Sequence, residues 1–277
     1  VTALVQSSSA TTVMTVGFVN AGLLSLRQAI GVVFGANIGT TVTGQIISFK
    51  LDGIALPAIV LGVIGILIAR KAAWQGLFRT ILGFGLLFFG MTLMASELKS
   101  AGAFPSFVRF FQMFDCTPLP GQPRPIGAVL GAIGIGTLTT MVVQSSAATI
   151  GLAMALANCG LLNFWTVFPI VLGDNIGTTI TAILAALNTN RTAKQTAAAH
   201  SMFNIIGTGI MVALFYVPYH GVPCFLYFID SITAGAVFQG ENLSRHIAMA
   251  HSFFNVTNVC VLTFFIPQLA WICEHIV

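Results

Sequence analysis

Gln6-Ser7-Ser8-Ser9-Ala10-Thr11-Thr12 returns later in the chain as Gln144-Ser145-Ser146-Ala147-Ala148-Thr149, an offset of 138 residues counted from Gln6 to Gln144. The same offset carries Asn20-Ala21-Gly22-Leu23-Leu24 onto Asn158-Cys159-Gly160-Leu161-Leu162. It also carries Gly35-Ala36-Asn37-Ile38-Gly39-Thr40-Thr41 onto Gly173-Asp174-Asn175-Ile176-Gly177-Thr178-Thr179, with no gap. Apolar residues between these anchors drift, whereas Gln, Ser, Asn, Gly and Thr recur. A duplication that keeps polar residues rather than general apolarity points to a site built twice.

The surroundings of that site are apolar. With 56% hydrophobic and 6% charged residues and a mean hydropathy of +0.95, the chain falls far below the charged fraction of about 25% found in soluble domains. Ile54 to Ala69 runs up to Arg70-Lys71, Thr80 to Ala95 runs up to Glu97, and Ile247 to Ile272 lies near the end. Such uninterrupted runs predict membrane helices, because barrel strands would alternate polar and apolar residues. The basic residues behind the net charge of +4 are scattered over several loops, which argues against a nucleic-acid partner. Five cysteines without a Cys-x-x-Cys spacing signal neither a disulfide framework nor a zinc site, and a Cys116 to Cys224 bridge between loops is only a minor alternative.

A run of Gln, Ser and Thr at membrane depth is costly unless it faces protein or a water-filled cavity. Val1 to Asn20 is therefore expected to be an interrupted helix or re-entrant hairpin, and Ile30 to Phe49 a second element broken at Asn37-Ile38-Gly39-Thr40-Thr41. Spans at Ile54 to Ala69 and Leu77 to Ala95 follow, joined by a basic loop carrying Arg70, Lys71 and Arg79. Residues 1–96 thus form a first repeat with its connecting spans; compared with the approach to Gln144, its N-terminal part is expected to be missing. Residues 97–125 form a linker, where Pro105, Pro118, Pro120, Pro123 and Pro125 oppose regular helix towards its end. Residues 126–277 hold the second repeat (Gly127 to Ala157, then Trp165 to Leu187, then a polar loop Asn188 to Lys194) and three closing apolar stretches, about Ala197 to Val217, Val222 to Val237 and Ile247 to Ile272. The basic residues do not assign inside and outside.

A helix restarting at a Ser-rich run presents free backbone N–H groups and a positive dipole end, which suit an oxyanion such as phosphate without any Lys or Arg. Oxygens from Thr11, Asn37, Thr40 and Thr41, and from Thr149, Asp174, Asn175, Thr178 and Thr179, suit a hard cation such as Na+. Asp174, standing where the first copy has Ala36, is the strongest candidate carboxylate for a cation or proton-linked role; Asp230 is a weaker one. A shorter echo pairs Ala199-His200-Ser201-Met202-Phe203-Asn204 with Ala250-His251-Ser252-Phe253-Phe254-Asn255. His200 and Asn204, like His251 and Asn255, share a helix face and are expected to brace the broken segments rather than touch substrate.

Together these motifs resemble the sodium/phosphate cotransporter family, the type II sodium-dependent transporters and their bacterial relatives, over nearly the whole chain. The resemblance implies an all-α membrane protein of two inverted-topology repeats with broken or re-entrant helices. It implies Na+-coupled symport of inorganic phosphate, with Na+ as coupling ion, no other cofactor or metal and no enzymatic activity. Gln6, Ser7, Ser8 and Ser9 match the first motif and Gln144, Ser145 and Ser146 the second, so these are the expected phosphate ligands; Ala147 replaces a third serine. The short linker fits a bacterial inner-membrane member better than an animal one, and a homodimer is compatible with the pattern. Two other functions compete: a phosphate-sensing or assembly subunit that binds without transporting, and an intramembrane serine hydrolase, which lacks a Gly-x-Ser-x-Gly elbow.

Overall fold

The computed structural model describes residues 1–49, 52–118 and 124–277, so Pro120 and Pro123 of the linker lie outside the described residues. Helices α1 (Thr2–Val5) and α2 (Ser8–Asn20) are separated at Gln6, which adopts the left-handed conformation (φ 57, ψ 27). Helix α3 (Leu26–Ile47) opens with a capping box in which Ser25 and Gln28 satisfy each other's backbone donors. Helices α4 (Asp52–Ile68) and α5 (Ala72–Ala101) form an antiparallel hairpin. Its backbones touch because Gly62 and Gly85 leave no room for a side chain: a Cβ on Gly62 would sit 2.7 Å from Leu82 and one on Gly85 2.8 Å from Ala55 O. Small residues permit this close approach where no hydrophobic force drives helices together.

After α6 (Pro105–Gln112) the second repeat unfolds in the same order. Helix α7 (Ile126–Val143) ends at Gln144 (φ 56, ψ 26), α8 (Ser146–Asn158) follows, then α9 (Phe164–Gly177) and α10 (Ile180–Ala186). The long α11 (Arg191–Phe215) leads through a small antiparallel ladder, β1 (Pro218–Tyr219) with β2 (Val222–Pro223), into α12 (Cys224–Ile232). Helix α13 (Leu243–Leu262), a 3₁₀ turn and α14 (Ile266–Ile276) close the described chain.

Six stretches among the described residues are long and apolar enough to cross a membrane: Leu26–Ile47, Ala72–Ala101, Ile126–Val143, Phe164–Ala186, Arg191–Phe215 and Leu243–Ile276. The protein is all-α and multi-pass. One core cluster, with Met154, Phe168, Leu226 and Phe254 fully buried, binds α8, α9, α12 and α13; another joins Ile30 and Phe34 of α3 to Phe203 of α11 and Leu269 of α14. The α4–α5 hairpin instead exposes Val60, Leu61, Leu67 and Leu86, as helices in contact with lipid do.

Several expectations are corrected. Helix α3 runs unbroken through Asn37-Ile38-Gly39-Thr40-Thr41, because these polar side chains satisfy carbonyls of their own helix: Asn37 Nδ2 donates to Val33 O (2.9 Å), Thr40 Oγ1 to Ala36 O (3.1 Å) and Thr41 Oγ1 to Ile38 O (2.7 Å). Its second copy does break, between α9 and α10, where Thr179 N–H reaches only three residues back to Ile176 O (3.1 Å). Val222 to Val237 is not a span: α12 is nine residues long, stopped by extended Thr233 and by Gly235 at φ 101. Arg79 lies inside α5, and α5 runs on to Ala101. The linker also contains α6, with Pro105 in its first turn, where a missing N–H breaks no intrahelical bond. All five cysteines are unpaired.

Candidate functional site

The site begins with two helix starts of matching geometry. Ser7 is the N-cap of α2 (φ −144, ψ 106) and Ser145 that of α8 (φ −144, ψ 107). Ser7 Oγ accepts from Ala10 N–H at 3.1 Å and Ser145 Oγ from Ala148 N–H at 3.3 Å, a cap worth about 1 kcal/mol. This satisfies the third N–H of each helix and leaves the first two, on Ser8 and Ser9 and on Ser146 and Ala147, without an intrahelical acceptor. Gln6 and Gln144 turn the chain into these starts in a conformation rare for residues other than glycine.

The two starts meet. Gln6, Ser7, Ser8 and Ser9 share one small polar cavity, about 50 Å³, with Gln144, Ser145, Ser146 and Ala147; Thr40 and Thr43 of α3 complete its wall. All seven expected phosphate ligands are thus together. Ser8 and Ser146 are the deepest of them, 9% and 7% exposed. Gln6 is held by Thr43, whose Oγ1 donates to Gln6 Oε1 at 2.7 Å, and itself donates to Ala3 O. Thr181, the counterpart of Thr43 at the same offset, donates instead to Thr178 O (3.0 Å), so the two halves of the cavity are not identical.

Of the expected cation residues, half-buried Thr40 is in the cavity wall and the others are buried outside its lining. In the first copy Thr2 Oγ1 donates to Thr11 Oγ1 (2.9 Å). In the second, Thr140 Oγ1 lies 3.0 Å from Thr149 Oγ1 and donates to Asp174 Oδ1 at 2.8 Å. Asp174 is fully buried and its other oxygen, Oδ2, has no hydrogen-bond partner among the described residues. Asn175 donates to Val171 O (2.7 Å), Thr178 Oγ1 to Asp174 O (2.9 Å) and Thr179 Oγ1 to Ile176 O (2.8 Å). Most of these side chains are engaged with their own helices, so the structure gathers a Thr–Thr–Asp cluster rather than the whole expected set.

Glycine makes the cluster possible. A Cβ on Gly39 would stand 2.6 Å from Thr2 Cβ, and one on Gly177 would stand 2.8 Å from Thr140 Cβ. Thr2 and Thr140, which sequence reasoning passed over, are themselves 138 residues apart. The repeat simply extends four residues upstream of Gln6.

The His–Asn pairs are divided in what they do. Asn255 Nδ2 donates to Asn175 Oδ1 (3.3 Å), tying α13 to α9, and to His251 O (3.0 Å). Asn204 donates to His200 O within α11 (3.1 Å). Both rings and all four side chains are buried, and His251 faces α3 at Gly44. Two further polar ties were not foreseen: Asn190, the N-cap of α11, holds Asn20 at the end of α2 through bonds of 2.8 and 3.0 Å, and Asn158 at the end of α8 donates to Ser244 of α13 (2.9 Å). Asp230 stands apart from the cavity, 3.3 Å from His246 Nε2 and accepting from Val237 N–H. No group of three or more His, Cys, Asp or Glu side chains suited to a metal occurs among the described residues.

The model of the Na+/Pi-cotransporter family matches residues 1–96 and 126–235. Among curated proteins, the chain is 33% identical over 214 residues to "Uncharacterized protein YqeW" of Bacillus subtilis, covering 76% of this chain and 65% of that protein. It is 27% identical over all 277 residues to "Putative inorganic phosphate export protein YjbB" of Escherichia coli, 46% of that protein's length. It is also 39% identical over 108 residues to the rat "Sodium-dependent phosphate transport protein 2B", 36% of this chain and 15% of the relative. The chain therefore spans less than two thirds of each of these relatives. No solved structure matches it. Since the matched stretches take in well over half of the chain, and both copies of the Gln-Ser-Ser motif with them, the chain belongs to the Na+/Pi-cotransporter family.

Proposed function

We propose that the protein is a secondary transporter that couples Na+ to the movement of inorganic phosphate, with the two Gln-Ser-Ser helix starts forming one phosphate site. The observation that carries this reading is the convergence of two like helix N-termini, each with two spare N–H donors, on a single polar cavity. Two helix N-termini at one cavity and serine hydroxyls stabilise an oxyanion at a depth where a lysine or arginine would be costly. No charged side chain among the described residues lines the cavity.

Na+ is assigned to the cluster of Thr140, Thr149 and Asp174. A buried carboxylate with one unpartnered oxygen beside two hydroxyls supplies the hard oxygen ligands this ion prefers. Binding there draws α7, α8 and α9 together directly behind Ser145 and Ser146, so that cation occupancy shapes the phosphate site. The repeats are read as inverted, and rocking of one against the other would expose the cavity to either side in turn. A bacterial inner membrane is the proposed setting, in keeping with the bacterial relatives. Each net positive charge moved inward gains about 2.3 kcal/mol per 100 mV, enough to drive phosphate uphill when Na+ is in excess.

The test is uptake of radiolabelled phosphate into proteoliposomes under an inward Na+ gradient, against K+ alone. Accumulation only with Na+ is expected. Binding without accumulation would favour a sensing or assembly subunit, and dependence on another cation would remove Na+ from the scheme.

A further inference from the structure

At the other end of α3 lies a second cavity, about 570 Å³, between the end of that helix, the segment after α12 and the start of α13; Ser48, Phe49, Thr233, Arg245 and Met249 contribute to its wall. Among the described residues, Arg245 is the one charged side chain in that wall. Its guanidinium lies over the Phe49 ring, 4.9 Å from the centroid, and donates through Nη1 to Ser48 Oγ at 3.3 Å. The ring fixes the guanidinium plane, and among the described residues most of its N–H donors have no partner. No carboxylate among the described residues pairs with it.

Three further observations point the same way. Thr233, in the same wall, is 8% exposed, and its Oγ1 has no hydrogen-bond partner among the described residues. Helix α13 starts at Asn242, itself in the wall, without a side-chain cap and with no acidic residue in its first turn, so no side chain of that turn offsets its positive dipole end. Two nearby carboxylates among the described residues are occupied elsewhere: Glu241 Oε2 accepts from Ala236 N–H (2.9 Å) and Asp230 from Val237 N–H (3.0 Å).

We infer that Arg245, Thr233 and the start of α13 form a second oxyanion site, separate from the Gln-Ser-Ser cavity, that takes a phosphate-type group. The planar guanidinium offers two parallel N–H donors to phosphate oxygens, the Thr233 hydroxyl a third donor, and the helix start the field that favours negative charge. Free phosphate and an anionic lipid headgroup present the same chemistry. From Thr43, at the edge of the central cavity, to Ser48 beside Arg245 is about 7.5 Å of helix rise. Between them Gln45 donates to Ser252 of α13 (2.8 Å). A polar face of α3 therefore joins the two sites, and a role as way station for transported phosphate rests on the transport reading, whereas binding itself does not.

Equilibrium binding to the full chain, without any gradient, tests this. With Ser8→Ala and Ser146→Ala combined to disable the central cavity, radiolabelled phosphate is expected to keep one saturable class in detergent. Arg245→Gln should abolish that class, Thr233→Val should weaken it about tenfold, and Arg245→Lys should restore part of it, which a general loss of folding would not allow. If the headgroup is the occupant, the phosphate class is absent, and a phosphatidylglycerol adduct seen by native mass spectrometry is lost in Arg245→Gln instead. An Arg245→Gln protein that binds phosphate and phosphatidylglycerol like its parent overturns the inference. Should the serine pair leave both phosphate classes intact, the central site fails while the Arg245 site is still read from its own variant.

Discussion

Thr140 Oγ1 donates to Asp174 Oδ1 across 2.8 Å, and through this bond the last turn of α7 is tied to the last turn of α9. In the first copy the corresponding pair is Thr2 and Ala36, and no carboxylate is present. Two halves alike in backbone therefore differ in charge at their centre. If Na+ is held here, Asp174→Asn, which keeps the shape and removes the charge, should raise the Na+ concentration for half-maximal phosphate uptake about tenfold or more, while uptake at saturating Na+ falls less. An unchanged Na+ activation curve would take the ion away from this cluster.

The serines of each motif are separable by what they do. Ser7 caps α2, so Ser7→Ala should lower the melting temperature, a loss of about 1 kcal/mol, as well as impair uptake; Ser7→Gly should be milder in stability. Ser8 faces the cavity without capping. Ser8→Ala should remove uptake with little change in melting temperature, and equal destabilisation by the two alanine variants would contradict this division of labour.

Gly173 lets α9 lie against the backbone of α7: an added Cβ would collide with Ile133 O and stand 2.8 Å from Thr137 N. Gly173→Ala should therefore separate the helices and destabilise the protein by more than about 2 kcal/mol, as over-packing does. Gly209→Ala, in α11, meets no atom within 4 Å and should be neutral or slightly stabilising. Thermal unfolding in one detergent compares them directly.

Outside the membrane spans, Asp115 anchors the segment after α6 to the start of α9. Burial alone would raise its pKa, but hydrogen bonds from the Thr117 side chain and backbone, Asn163 and Thr166 outweigh burial and hold the carboxyl below the usual aspartate value. A depressed pKa contributes stability that is present above the unfolded-state value, near 3.8, and is lost as pH falls through the folded one. The melting temperature should be insensitive to this group at neutral pH and fall in acid. Asp115→Asn should lower it at pH 7 and flatten the acid limb; an identical acid limb in the variant would refute the assignment.

Much of this was legible in the sequence, because the signal was repetition of polar residues in an apolar chain. The offset from Gln6 to Gln144 brought together residues that do line one cavity, and the apolar runs gave most of the spans. What escaped depended on which partner a side chain chooses. Asn37, Thr40 and Thr41 look like a break, yet each bonds a carbonyl of its own helix and α3 continues. Val222 to Val237 is apolar enough for a span, but Gly235 and extended Thr233 end α12 early. Thr140 could have been found by following the offset upstream to Thr2. Arg245 carried no motif, and only the cavity around it gives it meaning.

The central claim is that both repeats build one phosphate site rather than two. Phosphate dissociation constants for the parent, Ser8→Ala, Ser146→Ala and the double variant test it most directly. Shared ligands predict strong non-additivity, with each single substitution weakening binding at the cavity about a hundredfold and the double variant little worse than either. Losses that simply add, or a single substitution without effect, would mean that the two Gln-Ser-Ser starts do not hold the same ion.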